Sequence, residues 1–197
     1  MLERVKKHML KPAMRYSHDL LLDCIETGDV VVDATMGNGH DTLFLAELVG
    51  PTGHVFGFDI QEQAYTATLE KITAADCLKQ TTLCLTGHEH LGLFIPLDTP
   101  IKAAIFNLGY LPKGDKTLVT TKDTTLKAVE ELLMRLVPKG RIILVLYDGH
   151  DEGKPEKSAV LTFVSQLDQT VFSVMHYQFL NQKNNPPSLV CIEKKTT

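Results

Sequence analysis

Short apolar segments alternate with helix-like segments along most of this chain, and that alternation limits the fold more than any other feature. The apolar segments predict strands at 30–34, 54–59, 81–86, 101–106 and 141–146. The spacing of apolar residues predicts helices at 41–49, 61–75, 123–136 and 155–167, with a short turn or helix at 88–94. Such alternation is typical of a parallel sheet with helices on both faces. Because 141–146 is apolar at nearly every position, we expect that strand to be central and covered on both faces.

Two further strands are predicted near the C-terminus, at 171–177 and 189–193. The polar loop between them contains no helical pattern, so we expect the two strands to pair antiparallel. The predicted fold class is therefore α/β, a Rossmann-like doubly wound sheet of about seven strands, mostly parallel with an antiparallel closing hairpin. At 197 residues the chain is interpreted as a single domain, with 1–16 as a basic N-terminal leader.

Composition and charge exclude several classes of protein. Hydrophobic residues make up 44% and charged residues 22%, which is typical of a globular protein, and no apolar run approaches the roughly 18 residues of a membrane span. The four cysteines are scattered without a CxxC pair, which favours reduced thiols in the cytoplasm over zinc or disulfides. The net charge of −4 hides a basic segment, 1–15, with five Lys/Arg against one Glu. An acidic block follows at 16–70, with ten Asp/Glu and no Lys/Arg.

A glycine-containing segment joins the first predicted strand to the first predicted helix. It reads DATMGNGHDT at 33–42, and we call it the glycine loop. Gly37 and Gly39 allow a tight turn and let a ligand approach the free N–H groups of the helix N-terminus. Asp59 ends the next strand, where a carboxylate can accept hydrogen bonds from ribose hydroxyls. A dinucleotide site would need a glycine where Thr42 stands, and an acid ahead of the glycines suits a ligand with a cationic amino-acid end. S-adenosylmethionine is such a ligand.

Four segments together resemble one known family. They are DATMGNGHDT at 33–42, NLGYLP at 107–112, YDGH at 147–150 and NNPP at 184–187. They are similar to small bacterial class I methyltransferases labelled "putative rRNA methylases", and the resemblance spans 17–193. That family is linked to methylation of the aminomethyl group of 5-aminomethyl-2-thiouridine at the tRNA wobble position. The resemblance implies a class I methyltransferase fold and an S-adenosylmethionine-dependent RNA N-methyltransferase, with rRNA or another small substrate as the alternative acceptor.

The predicted cofactor site combines the glycine loop with residues that follow the next three strands. It comprises Asp33, Gly37, Asn38, Gly39, Asp41, Thr42, Asp59, Gln61, His88, Glu89 and Asn107. In this fold the segment after the third strand flanks adenine. There Glu89 could accept a hydrogen bond from the exocyclic amine of adenine, and His88 could pack against the adenine ring.

The predicted catalytic residues follow the fourth and fifth strands. Asn107 and Tyr110 lie in a segment that resembles the Asn-Pro-Pro-Tyr signature of amino-group methyltransferases. An amide or backbone oxygen there can accept a hydrogen bond from the target N–H and so orient the lone pair of the target nitrogen. The Tyr110 ring can stack on the base. An aliphatic amine must lose a proton before it attacks, and the candidate bases are His150, Asp148 and Tyr147. The predicted catalytic residues are Asn107, Tyr110, Tyr147 and His150.

RNA binding is predicted at two rims of the site. One is the basic leader, which either contacts phosphates or is a solvated terminus, and the other is the polar loop near 184. The predicted substrate-binding residues are Lys11, Arg15, Tyr110, Lys183, Asn184 and Asn185. No metal is predicted, because the spacing of His88 and His90 places them on different faces of a helix. No membrane partner is predicted, and a homodimer stays open.

Two other functions are weighed against this one. An NAD(P)-dependent oxidoreductase is disfavoured by Thr42 at the third glycine position and by the lack of a Tyr-x-x-x-Lys pair. A non-catalytic nucleotide-binding module is disfavoured by the intact Asn107 and Tyr110 segment.

Overall fold

A computed structural model of the chain describes residues 10–109, 120–147, 153–183 and 185–196. It contains seven strands, which are β1 Val30–Asp33, β2 His54–Asp59, β3 Thr81–Leu85, β4 Ile101–Leu108, β5 Leu136–Leu146, β6 Phe172–Tyr177 and β7 Ser188–Lys194. The α-helices of the described residues are α1 Ala13–Leu22, α2 His40–Val49, α3 Glu62–Ala74, α4 Lys122–Arg135 and α5 Gly153–Ser165. Short 3₁₀ segments lie at Gly50–Thr52, Leu78–Gln80 and His88–Leu93.

All seven strands form one sheet in the order β3-β2-β1-β4-β5-β7-β6. Strands β1 to β5 pair parallel, while β7 pairs antiparallel with both β5 and β6. The predicted fold class and the predicted antiparallel hairpin are confirmed. The strand order reverses between β1 and β4, and in open α/β sheets ligands bind at the carboxyl edge beside such a reversal.

Two apolar layers cover the sheet, and the side chains of each strand alternate between them. Ile142 and Leu144 of β5 pack into the layer formed by α4 and α5. Ile143 and Val145 pack into the opposite layer, formed by α1, α2 and α3. All four are fully buried, which confirms that β5 is covered on both faces.

Two elements differ from the sequence-based expectation. Helix α1 was not predicted, because the basic residues around it favoured a solvated leader, yet Ala13, Ser17, Leu20 and Leu21 form a buried helical stripe. Strand β5 begins at Leu136 instead of Arg141. Leu136 pairs with Ile101 and Arg141 pairs with Ala103, so the intervening residues form a bulge.

None of the helices in the described ranges is both long and apolar enough to cross a membrane. All four cysteines are buried free thiols.

Candidate active site

The glycine loop turns sharply between β1 and α2, and its two glycines adopt left-handed backbone conformations. Gly37 has φ 52° and Gly39 has φ 72°. A Cβ atom on Gly39 would lie 2.8 Å from the Cα of Thr68 in α3. Gly39 is therefore required both by its backbone angle and by the close approach of α3.

Two carboxylates brace the glycine loop from either side. Asp33 is fully buried and accepts hydrogen bonds from the Thr35 backbone N (3.1 Å) and the Thr42 hydroxyl (2.6 Å). Asp59 accepts from the backbone N of Gly37 and of Gln61, both at 2.9 Å. A carboxylate has about four acceptor positions, so the Asp59 carboxylate retains acceptor capacity for a ligand.

Burial and the nearby charge of Asp41 raise the pKa of Asp33, while its hydrogen bond with Thr42 opposes that shift. Asp33 therefore stabilises the conformation of the glycine loop. Direct contact with a ligand stays a prediction for Asp33, for the exposed Asn38 and for the buried Thr42.

Asn107 lies near the end of β4, where two hydrogen bonds link it to the glycine loop and, through Asp41, to His18 of α1. Its backbone N donates to the Thr35 hydroxyl (2.7 Å), and its side-chain Nδ2 donates to Asp41 Oδ2 (2.7 Å). The other oxygen of Asp41 accepts from His18 Nε2 at 2.7 Å. The remaining polar atom, Asn107 Oδ1, is buried and has no hydrogen-bond partner among the residues that the structure describes. A buried acceptor without a partner is costly, so this oxygen is suited to receive a donor from a ligand.

His88 follows β3 and is buried beneath the glycine loop. Its Nδ1 donates to the carbonyl of Ala34 at 3.0 Å, so the other ring nitrogen, Nε2, is an acceptor in the neutral imidazole. Burial lowers the pKa of His88, which favours this neutral form. Nε2 is buried and lacks a partner within the described part of the chain. Its ring packs edge-on against Phe106, while the Glu89 carboxylate lies 3.7 Å from His90 Nδ1.

Tyr147 follows β5 at the same edge of the sheet. Its backbone N donates to the Leu108 carbonyl at 3.3 Å, next to Asn107. Burial, and after it the charge of Asp41, raise the pKa of the Tyr147 phenol. The phenol is therefore protonated at neutral pH, which makes it a poor general base and a good hydrogen-bond donor.

The predicted RNA-binding residues of the described chain lie near the end of β6. The Tyr177 hydroxyl donates to the Lys11 carbonyl at 2.9 Å, and the Tyr177 and Tyr16 rings are in contact, with centroids 4.9 Å apart. Lys11 pairs with Asp19, and Arg15 is exposed on α1. Lys183 and Asn185 are exposed in the loop after β6. Tyr110, His150 and Asn184 lie outside the described residues, as does Asp148.

The structure therefore brings Asp33, Asp41, Asp59, His88 and Asn107 to one sheet edge, as the sequence predicts. Sequence reasoning missed His18 and Thr35, which hold this group together from α1 and from the loop. His18 had a usable signal, since it precedes the buried pair Leu20 and Leu21 in a helical pattern. Nothing in the sequence pattern marks Thr35 as the partner of a residue 72 positions away.

The sequence matches the family described as "Putative rRNA methylase" over residues 55–193. The chain belongs to this family. The resemblance drawn from the four sequence segments is confirmed, and so is the prediction of a methyltransferase.

Known relatives of this methylase agree in sequence and in fold. A protein of Arabidopsis thaliana named "tRNA (mnm(5)s(2)U34)-methyltransferase, chloroplastic" is 36% identical over 187 residues, which cover 89% of this chain and 67% of that protein. A crystal structure of a "putative rRNA-methylase" from Clostridium thermocellum superposes with a TM-score of 0.91 at 46% identity, covering 94% of this chain and 99% of that one. A putative methyltransferase from Streptococcus mutans, solved in complex with SAH, gives a TM-score of 0.86 at 45% identity, with coverage of 94% and 99%.

Within the described ranges, no group of three or more His, Cys, Asp or Glu side chains is placed to hold a metal ion. That the methylase needs no metal stays a prediction.

Proposed function

We propose that this methylase transfers a methyl group from S-adenosylmethionine to the aminomethyl nitrogen of 5-aminomethyl-2-thiouridine at the tRNA wobble position. The proposal is supported by the activity for which the Arabidopsis relative is named and by the SAH complex of the Streptococcus mutans protein. It is also supported by the acceptor geometry at the end of β4.

The chain's own donor set fits S-adenosylmethionine. Asp59 would hold the ribose hydroxyls, because each of its oxygens accepts a single backbone hydrogen bond and retains a lone pair. His88 Nε2 is a buried acceptor without a donor from the described residues, which suits an N–H of adenine. Gly39 is the left-handed N-cap of α2, so the N–H groups at the start of this helix belong to the glycine loop and would favour the carboxylate of the ligand. When bound, S-adenosylmethionine supplies a methyl group on a positively charged sulfur.

The observation that carries the proposal is the fixed orientation of the Asn107 amide. Because Nδ2 is engaged by Asp41, the amide oxygen Oδ1 is the atom left to meet a ligand. An acceptor at this position would bind an N–H of the incoming amine and direct its lone pair. An alkyl ammonium has a pKa of roughly 10 and carries no lone pair, so the amine must first lose a proton. Burial against the sheet edge lowers that pKa, and His150 stays the predicted acceptor of the proton.

The RNA-facing surface is assigned to the elements around β6. Tyr177 ends β6 at the same edge as Asn107 and donates to the Lys11 carbonyl. The exposed Arg15 of α1 follows Lys11 along the chain, and the exposed Lys183 and Asn185 lie in the loop after β6. The wobble base would enter as an unstacked base, since sequence-specific RNA recognition uses single-stranded loops. We assign this work to one domain in the cytoplasm, and a homodimer stays open.

The test is a methyl-transfer assay with purified protein and isotopically labelled S-adenosylmethionine. Three acceptors are compared: tRNA carrying 5-aminomethyl-2-thiouridine, the same tRNA with unmodified uridine at that position, and rRNA. Nucleoside mass spectrometry should show the labelled methyl on the aminomethyl nucleoside and nowhere else. Labelling of rRNA in place of tRNA would contradict the assignment of tRNA as the substrate but would still agree with methyl transfer from S-adenosylmethionine. The Asn107→Ala variant serves as the matched inactive control.

A further inference from the structure

A histidine from α1 reaches into the active-site edge, although no sequence motif includes it there. The His18 ring stacks on Phe44 of α2, with ring centroids 4.2 Å apart and planes 12° apart. Its Nε2 donates to Asp41 Oδ1 at 2.7 Å. Stacking and hydrogen bonding together fix both the position and the rotation of the ring.

Asp41 transmits that constraint to Asn107. The Asp41 side chain is only 7% exposed, and its two oxygens are held by His18 and by Asn107 Nδ2. A carboxylate fixed at both oxygens has one orientation. The amide therefore has one orientation too, with Nδ2 toward Asp41 and Oδ1 left free of any partner among the described residues.

Charge favours the same arrangement. The negative charge of Asp41 disfavours ionisation of two neighbours, the buried Asp33 carboxyl and the half-buried Tyr147 phenol. His18 is its ion-pair partner in the described part of the chain, and Asp19 also faces His18. Without the His18 side chain, Asp41 Oδ1 would lose this hydrogen-bond donor, and the carboxylate would be held by Asn107 at one oxygen only.

We infer that His18 is a positioning residue for methyl transfer, which acts through Asp41 to hold the Asn107 amide with Oδ1 facing the substrate amine. The inference rests on the proposed function in one respect, the role of Asn107 as acceptor for the amine. It requires no contact between His18 and the RNA or S-adenosylmethionine.

Two substitutions separate the contributions of the ring and of its donor. His18→Gln keeps a hydrogen-bond donor near Nε2 but loses the charge and the stacking. His18→Phe keeps the stacking and loses the donor. We expect kcat to fall about tenfold for His18→Gln and about 100-fold for His18→Phe, since misplacing a reacting group by about 1 Å has effects of that size. The Michaelis constant for tRNA and the dissociation constant for S-adenosylmethionine should stay near wild type. His54→Gln is the matched control and should leave kcat unchanged, because His54 also has a hydrogen bond, to Thr82, and a ring contact, with Phe56, but lies at the start of β2, at the opposite edge of the sheet.

A double-mutant cycle decides between positioning and direct contact. If His18 acts through Asn107, adding His18→Phe to Asn107→Ala should change kcat by less than about twofold, because the amide is already gone. An independent loss of about 100-fold in the double variant would overturn the inference. So would a higher Michaelis constant for tRNA with unchanged kcat, since that pattern indicates contact with the RNA.

A measurement on the free protein keeps this test separate from the proposed function. The side-chain amide protons of Asn107, followed by NMR, should exchange slowly with water in the wild type and the His54→Gln variant. They should exchange faster in His18→Phe if the network is released. Slow exchange in His18→Phe would overturn the inference whatever the substrate. Wild-type protein that fails to methylate the tRNA, with the NMR result as expected, would overturn the substrate alone.

Discussion

Replacing Asn107 by alanine should separate methyl transfer from cofactor binding. The substitution removes the amide but leaves the backbone N–H that donates to Thr35, so the end of β4 keeps its main-chain contact with the glycine loop. What is lost is the Nδ2 hydrogen bond to Asp41 and the free oxygen Oδ1.

The size of each effect follows from those contacts. A hydrogen bond to a buried carboxylate contributes about 1.5–3 kcal/mol, so the variant should lose about 2 kcal/mol of folding free energy. For a chain of this length that lowers Tm by about 4–8 °C. Loss of an oriented acceptor for the amine acts mainly in the transition state and should lower the transfer rate about 100-fold. Affinity for S-adenosylmethionine should change by less than about threefold, because Asp59, the glycine loop and His88 remain.

The assay is single-turnover methyl transfer at saturating S-adenosylmethionine, run beside calorimetric measurement of its dissociation constant. Gln169→Ala, which removes an exposed side-chain amide before the start of β6, is the control and should match wild type in rate, affinity and Tm. If Asn107→Ala weakens S-adenosylmethionine binding as much as it slows transfer, Asn107 belongs to the cofactor site and its assignment as acceptor is wrong.

Four further predictions follow from the same edge of the sheet. Asp59→Ala should weaken S-adenosylmethionine binding by about 3 kcal/mol or more, through lost ribose contacts and a loosened glycine loop, and an unchanged calorimetric dissociation constant would refute this. Charge reversal at Lys11 and Arg15 should raise the Michaelis constant for tRNA and flatten its salt dependence, whereas a wild-type salt slope would show that these residues do not meet the RNA. Activity should survive dialysis against EDTA, and a loss restored by zinc or magnesium would contradict the metal-free assignment. The hydrogen bond to Asp41 raises the pKa of His18, so this pair stabilises the fold fully below pH 6.5 and is lost as the pH rises through the folded pKa. The stability difference between wild type and His18→Gln, from urea unfolding, should therefore shrink from about pH 6 to about pH 9.

Most strands and helices of the fold could be predicted because each has its own local pattern of apolar residues. The bounds of β2 agree with the predicted 54–59, and α2 and α3 begin and end within one residue of the prediction. Apolar runs and helix stop signals carry that information directly. Residues Asp33, Asp59 and Asn107 were placed at a common edge because the carboxyl ends of parallel strands must meet there.

The parts that sequence patterns did not predict depend on contacts between distant segments. Asp41 was assigned to the cofactor, but its two oxygens are held by His18, 23 residues away, and by Asn107, 66 residues away. Helix α1 was missed because its buried stripe includes Ala13 and Ser17, whose small side chains give a weak apolar signal beside the basic residues. A local sequence pattern cannot predict that Asp41 binds His18 and Asn107, because these hydrogen bonds depend on how α1 packs against α2.

The strand order of the sheet places the acidic and the basic parts of the sequence at different positions along the same edge. The acidic block at 16–70 includes β1 and β2, so the carboxylates of Asp33 and Asp59, which end these strands, lie on the side of the edge where a cationic methyl donor would bind. The cations of the predicted RNA surface come from both ends of the chain, and the contact between Lys11 and Tyr177 brings those ends together beside β6. Strands β4, β5 and β7 separate the acidic side from β6, and Asn107 lies between the two. In the proposed arrangement an RNA phosphate near β6 would lie away from the carboxylates of β1 and β2 and would compete with Asp19 for Lys11, while the base would reach the amide at the end of β4. Association with RNA is consistent with a net charge of −4, because the attraction depends on the local surface and not on the sum.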